Sequence, residues 1–106
     1  DLAATRNAAS HLRAHGVQRV IVTLGGEGVL AVDDDGEFYL PAHQVTVVDT
    51  TAAGDAFVGA LAVALMEGRS MREAVAWGNA AGGLTVTRPG AQPSLPTRDE
   101  LEKFLS

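Results

Sequence analysis

Asp49-Thr50-Thr51-Ala52-Ala53-Gly54-Asp55-Ala56-Phe57 joins a β-branched run, Val45 to Val48, to a long apolar run, Phe57 to Met66. The first run has strand character and the second has helix character. The stretch between them therefore reads as a loop delivering the chain into a helix N-terminus. Such a terminus presents unpaired backbone N–H groups and about half a positive charge. Small residues at Ala52, Ala53 and Gly54 let a bulky anion approach those groups. Asp55 falls in the first helical turn, beside the place an anion would occupy. A carboxylate there suits the helix but repels a phosphate. The conflict resolves if Asp55 takes a proton from a hydroxyl that attacks the phosphate. An ordinary N-terminal cap by Asp55 or Thr51 is the alternative the residues leave open.

Downstream, Gly54 to Glu67 is apolar almost all round, through Phe57, Val58, Leu61, Val63, Leu65 and Met66. A helix of that kind is expected to be buried on most faces and to hold the Asp55 loop rigid. Gly68 closes it. Ser70-Met71-Arg72-Glu73 is a capping-box pattern opening a helix that runs through Trp77 and Asn79 to about Val86. Trp77 is expected in the core or an interface rather than as a stacking platform. Thr87 to Pro96 is rich in proline, glycine and polar residues and reads as a loop. Thr97-Arg98-Asp99-Glu100 is a second capping box, and Leu101, Phe104 and Leu105 give the last helix its apolar face.

Upstream, Leu2 to His15 has helical spacing, with Ala4, Ala8 and Leu12 on one weak face and Gly16 as the stop. His11 and His15 lie four apart with no third ligand nearby, so solvated helix histidines are expected rather than a metal site. Arg19 to Leu24 carries Val20-Ile21-Val22-Thr23, a run typical of a parallel-sheet strand. Gly25-Gly26-Glu27-Gly28 follows; it is neither a Walker A loop nor a complete dinucleotide fingerprint, and alone it reads as a turn. Val29 to Val32 and Glu37 to Leu40 are two short strands joined through Asp33-Asp34-Asp35-Gly36, a hairpin signal and a solvated turn. His43 receives no firm role, although it falls where a bound nucleotide could be close.

The 106 residues suffice for one small domain with a limited core, and 46% hydrophobic with 20% charged residues is a globular balance. A net charge of −5 without a basic run argues against nucleic-acid and anionic-membrane surfaces. The absence of cysteine excludes disulfide and thiolate chemistry and suits a cytoplasmic chain. No signal peptide is expected, and the apolar run from Ala56 to Met66 is too short to span a bilayer.

Asp49 to Phe57 closely resembles the C-terminal signature of the ribokinase-like (PfkB-type) sugar kinases, roughly Asp-Thr-x-Gly/Ala-Ala-Gly-Asp-x-Phe. Many relatives have glycine where this chain has Ala52. Thr23-Leu24-Gly25-Gly26-Glu27-Gly28 and Val86 to Ser94 extend the resemblance to nearly the whole chain. The implied fold is α/β, the C-terminal, nucleotide-side part of a three-layer α/β/α kinase. The family's N-terminal signature, sugar pocket, lid strands and Asn-x-x-Glu magnesium motif are not found in these residues. Weak or no kinase activity is therefore expected of the 106 residues alone.

The resemblance implies ATP and a sugar as reactants, with Ala52-Ala53 pointing to D-ribose. Another sugar, a nucleoside, or a non-catalytic nucleotide-binding or assembly module remain alternatives. It implies Asp55 as general base and sugar contact, and Ala52, Ala53 and Gly54 as an anion hole. Thr23, Leu24, Gly25, Gly26, Glu27, Gly28, Gly54 and Asn79 become nucleotide contacts. Mg2+ would accompany ATP, and K+ would be held by Asp49, Thr51, Thr85, Arg88, Gly90 and Ser94, mostly through backbone oxygens. A homodimer of the full-length protein is left open.

Overall fold

The computed structural model describes residues 2–89 and 96–105, in two compact units, Asp1–Ala42 and His43–Ser106. The first unit opens with α1 (Leu2–Ala14), which ends where Gly16 takes a φ of +99°. Ala9 is its one buried residue, whereas Ala4, Ala8 and Leu12 of the expected face are exposed. His15 Nδ1 lies 2.9 Å from the His11 carbonyl, within the last turn.

Three strands follow: β1 (Val20–Thr23), β2 (Val29–Asp33) and β3 (Gly36–Leu40), side by side in that order. All pairing among them is antiparallel, with Val22 opposite Leu30 and Leu30 opposite Tyr39. This corrects the parallel-sheet expectation for Val20–Thr23 with respect to its described neighbour. The reason is the length of the connection. Leu24 to Gly28 is far too short for a crossover, and a tight reversal returns β2 antiparallel to β1. The β2–β3 hairpin forms at the expected place. Asp33 Oδ1 accepts the Asp35 N–H at 2.9 Å, and Gly36 takes a φ of +125°. Val29, Leu30 and Ala31 of β2 are almost fully buried.

The second unit is helical: α2 (Ala53–Met66), α3 (Met71–Thr85) and α4 (Arg98–Leu105). The Thr97 capping box forms in full and the Ser70 box only in half, since Glu73 Oε1 accepts the Ser70 hydroxyl at 3.3 Å and not its backbone N–H. Ser70 Oγ accepts the Glu73 N–H at 3.1 Å. Thr97 Oγ1 accepts from Glu100 N at 3.2 Å, while Glu100 Oε1 accepts from Thr97 N at 2.9 Å. Ala56, Ala64, Ala74, Trp77, Ala80, Ala81 and Leu101 build the core between these helices.

Two expectations fail here. Val45 to Val48 forms no strand, and Val48 lies in a bend, because no strand of this unit is described to pair with it. Val47 and Val48 are exposed. The apolar helix α2 is also not buried on most faces. Only Ala56, Phe57 and Ala64 are, because α3 and α4 cover one side of it.

Candidate functional site

The loop entering α2 is braced by its own first residue. Asp49 Oδ1 accepts the Thr51 backbone N–H at 2.8 Å and also the Thr51 hydroxyl. Ala52, buried, is the N-cap of α2 and supplies no side-chain cap. The ordinary capping alternative, by Asp55 or Thr51, is therefore not what the loop does. The Ala53 N–H reaches the Thr50 carbonyl at 3.3 Å, and Ala56 N–H reaches the Ala52 carbonyl at 3.0 Å. Among the described residues the Gly54 and Asp55 N–H groups have no acceptor. Gly54 and Asp55 are both exposed. The helix thus ends in two outward N–H groups, with one carboxylate beside them, where its positive end lies.

Helix α3 holds that terminus in place. A Cβ on Gly78 would sit 3.0 Å from the Phe57 ring and its carbonyl, and one on Gly82 would sit 3.5 Å from the Ala53 carbonyl. The two glycines, one turn apart, let α3 lie directly on the backbone of the first half of α2. At the far end of α3, Val86 O accepts the Val48 N–H at 2.6 Å and the Asp49 N–H at 3.1 Å. Asp49–Thr51 and Thr85–Arg88 are thereby brought together. Thr85 is fully buried, and its Oγ1 has no hydrogen-bond partner among the described residues. The Arg88 side chain is turned to Glu100, which accepts from Nη1 at 3.3 Å and from Nη2. That guanidinium, with the Thr97 N–H, pulls the Glu100 carboxyl down to about 2. Gly90 and Ser94 lie outside the described residues.

Sequence reasoning missed Gly78, Gly82 and Val86. The signal for the glycines was present: glycine inside an otherwise helical run, repeated at i+4, marks close helix approach. Nothing in the sequence marked the Val86 carbonyl, whose role depends on where two distant segments meet.

A cavity of about 290 Å³ opens beside Asp55, between α2 residues Gly59 and Val63 and α4 residues Arg98 and Leu101, with Trp77 as part of its wall. Trp77 is buried and belongs to the core, as expected. Arg69 and Arg98 guanidinium carbons lie 4.3 and 5.3 Å from its ring centroid. Arg98 Nη2 donates to Glu67 Oε1 at 2.7 Å and Arg69 Nε to the same oxygen at 3.3 Å. Arg98, chiefly, holds the Glu67 carboxyl below its usual value. Asn79 is half-buried on α3, and His43 stacks edge-on against Phe104 at 4.7 Å.

The other predicted loop belongs to the first unit. Gly25–Glu27 form a single 3-10 turn, closed by Leu24 N–H to Gly28 O at 2.7 Å and Glu27 N–H to Leu24 O at 3.1 Å. The Tyr39 hydroxyl donates to the Glu27 carbonyl. Gly25 and Gly28 have φ of +58° and +106°. Gly28 is buried, whereas Thr23, Gly25, Gly26 and Glu27 are exposed and Leu24 is half-buried.

Comparison with known proteins gives a consistent answer. Aminoimidazole riboside kinase of Salmonella typhimurium is 42% identical, the match covering 95% of this chain and 33% of that protein. The crystal structure of ribokinase from Thermotoga maritima superimposes with a TM-score of 0.90 at 52% identity, over 93% of this chain and 33% of that one. Arabidopsis thaliana ribokinase, complexed with ribose and ATP, gives a TM-score of 0.88 at 36% identity, over 94% and 33% of the two chains. The chain therefore spans about a third of the length of these relatives. Its fold is the ribokinase-like α/β fold. Residues 1–98 match the family described as pfkB family carbohydrate kinase. The chain belongs to the pfkB family of carbohydrate kinases.

Proposed function

We propose that this chain is the C-terminal, phosphoryl-transferring part of an ATP-dependent sugar kinase, with Asp55 as general base. The observation that carries it is the N-terminus of α2, where two N–H groups without an acceptor among the described residues stand beside an exposed carboxylate. Those N–H groups suit the equatorial oxygens of a transferring phosphoryl group, whose charge the helix end stabilises without rearrangement. Asp55 takes the proton of the sugar's primary hydroxyl. That oxygen bonds to the γ-phosphorus of ATP, and the bond from γ-phosphorus to the bridging oxygen breaks, releasing ADP. With D-ribose the product is ribose 5-phosphate. The brace from Asp49 to Thr51 and the close seat of Gly82 on Ala53 keep the donors fixed, as positioning catalysis demands. The Gly25–Gly28 turn and Asn79 are assigned separately to the nucleotide.

Mg2+ bound with ATP would neutralise phosphate charge, and K+ would stiffen the loop. The oxygen-only set of Asp49, Thr51 and Thr85 suits a hard monovalent cation, and the buried Thr85 Oγ1, without a partner among the described residues, supports a cation nearby. Arg88, Gly90 and Ser94 complete the proposed set through backbone or hydroxyl oxygens. No helix among the described residues is long and apolar enough to cross a membrane. We place the kinase in the cytoplasm.

The sugar itself has a competing assignment. The similarity to aminoimidazole riboside kinase favours a riboside as the alternative acceptor. A panel of ribose, fructose and ribosides on the kinase-length protein decides it. The test of mechanism is Asp55→Asn in that protein. Turnover should fall by about 10²–10⁴-fold, the usual contribution of a general base, with little change in ATP affinity. Full turnover in the variant would refute the assignment. Calorimetric titration with ATP should show tighter binding in potassium than in sodium buffer.

A further inference from the structure

Helix α3 ends without the residue that commonly finishes a helix. None of the described residues after Thr85 in its last turn has a positive φ, so no left-handed cap is found among them. Val86 keeps a helical φ of −69° and ψ of −14°. The next two N–H groups make three-residue bonds, Thr87 to the Leu84 carbonyl at 3.1 Å and Arg88 to the Thr85 carbonyl at 3.2 Å. Bonds of that spacing have poorer geometry than those inside an α-helix. Yet this turn carries the Val86 carbonyl, which accepts from both Val48 and Asp49. Asp49 in turn holds Thr51, the residue before the Ala52 N-cap of α2. A turn with weak bonds of its own therefore sets where the Asp49–Asp55 loop lies.

The turn has an outside support in Glu100. This carboxylate accepts from both terminal nitrogens of Arg88, a two-point contact that fixes the direction of the guanidinium as well as its distance. Glu100 is itself held. Its Oε1 also accepts the Thr97 N–H at 2.9 Å, and its neighbour Leu101 is buried in the core with Trp77. We propose that Glu100 is a positioning residue for phosphoryl transfer. By clamping Arg88 to α4 it fixes the Val86–Arg88 turn and, through the Val86 carbonyl, the loop that enters α2. The inference rests on the role proposed above for that loop. Arg98, on the same helix as Glu100, pairs instead with Glu67 at the opposite end of α2, and so provides a comparison.

Amide hydrogen exchange in the kinase-length protein reads the clamp directly, because the Val86 carbonyl protects the Val48 and Asp49 N–H groups. Glu100→Gln is the first variant. Glutamine keeps an acceptor for the Thr97 N–H, so the α4 cap survives, but it loses the charge and the second acceptor for Arg88. Exchange at Val48 and Asp49 should quicken by about tenfold, while exchange at Val75, fully buried within α3, stays as it was. Arg88→Met should give the same result, and the two substitutions together no more than either alone. Arg98→Gln breaks the comparison pair and should leave Val48 and Asp49 unchanged. Unaltered exchange in Glu100→Gln overturns the proposal. Quickening of Val75 by the same factor also overturns it, since that is global destabilisation. An equal effect of Arg98→Gln does so too, since that is general loosening of α4. Turnover is read beside exchange. In Glu100→Gln kcat should fall by about tenfold with the KM for ATP little changed, because the α2 donors are misplaced while no ATP contact is removed. Quickened exchange with kcat unaltered overturns the positioning role. A wild-type protein without turnover refutes the phosphoryl-transfer reading, and exchange at Val48 and Asp49 then decides the clamp by itself.

Discussion

Gly28 is the position in the first unit where a single added carbon should do most harm. Its φ of +106° and ψ of −143° lie in a region that is essentially glycine-only, and another residue held there is strained by about 1–3 kcal/mol. Space is the second difficulty. A Cβ on Gly28 would overlap the Leu40 carbonyl oxygen and come within 2.9 Å of Ala42 N and Pro41 C. All three are backbone atoms, and Leu40 is paired with Val29 across the β2–β3 ladder. They can yield only by pulling the end of β3 away from β2, and overpacking of that sort costs a further 1–3 kcal/mol or so. Gly28→Ala should therefore destabilise the unit by about 2–6 kcal/mol. Gly25→Ala is the control. Its φ is +58° and nothing lies within 4 Å of its Cβ, so only the left-handed penalty of about 1–2 kcal/mol applies. Urea unfolding compares the two. The chain has one tyrosine and one tryptophan, so Tyr39 absorbance reports the first unit and Trp77 fluorescence the second. With a urea slope of about 1–3 kcal/mol per molar, Gly28→Ala should bring the Tyr39 midpoint down about 1 M further than Gly25→Ala. A Gly28→Ala midpoint no lower than that of Gly25→Ala would show that β3 gives way freely, and the steric reasoning would be wrong.

The Arg88–Glu100 pair should make the second unit acid-sensitive in a defined window. Glu100's carboxyl is depressed to about 2 from the usual 4.5, so its stabilisation is complete above about 4.5 and is lost as pH falls toward 2. Arg88→Met should flatten that part of the Trp77 melting profile between pH 5 and pH 2, and superimposable acid profiles for the two proteins would contradict it. Ser70→Ala removes the acceptor for the Glu73 N–H and should cost about 1 kcal/mol, read from the Trp77 urea midpoint. An unchanged midpoint would mean that the α3 cap is replaced by water without loss.

Much of this protein is local and so was legible in its sequence. Helix caps are satisfied within four residues, which is why Ser70–Glu73 and Thr97–Glu100 could be named, the second then found making both bonds of its pattern and the first only the one from the Glu73 N–H. The Asp33–Gly36 turn depends on one glycine dihedral and one neighbouring carboxylate. The Asp49–Phe57 signature gave the family because it is long and its residues are constrained individually. Val45–Val48 misled because β-branched residues report what a strand would favour, not whether a partner strand is at hand. Helix α2 misled for a related reason. Its composition says that it belongs in an interior, while its exposure depends on what is packed around it.

The sequence by itself determined the family, the four helices, the β2–β3 hairpin and the place of Asp55 in a first helical turn. These follow from contacts within a few residues and from a motif read directly. Only the tertiary structure decided that β1 runs antiparallel to its neighbour, that Gly78 and Gly82 seat α3 on the α2 backbone, and that Val86 ties the Asp49 loop to the end of α3. It alone left one side of α2 exposed. Each of these depends on residues far apart in the chain meeting in space, and neither propensity nor periodicity carries the address of a distant partner.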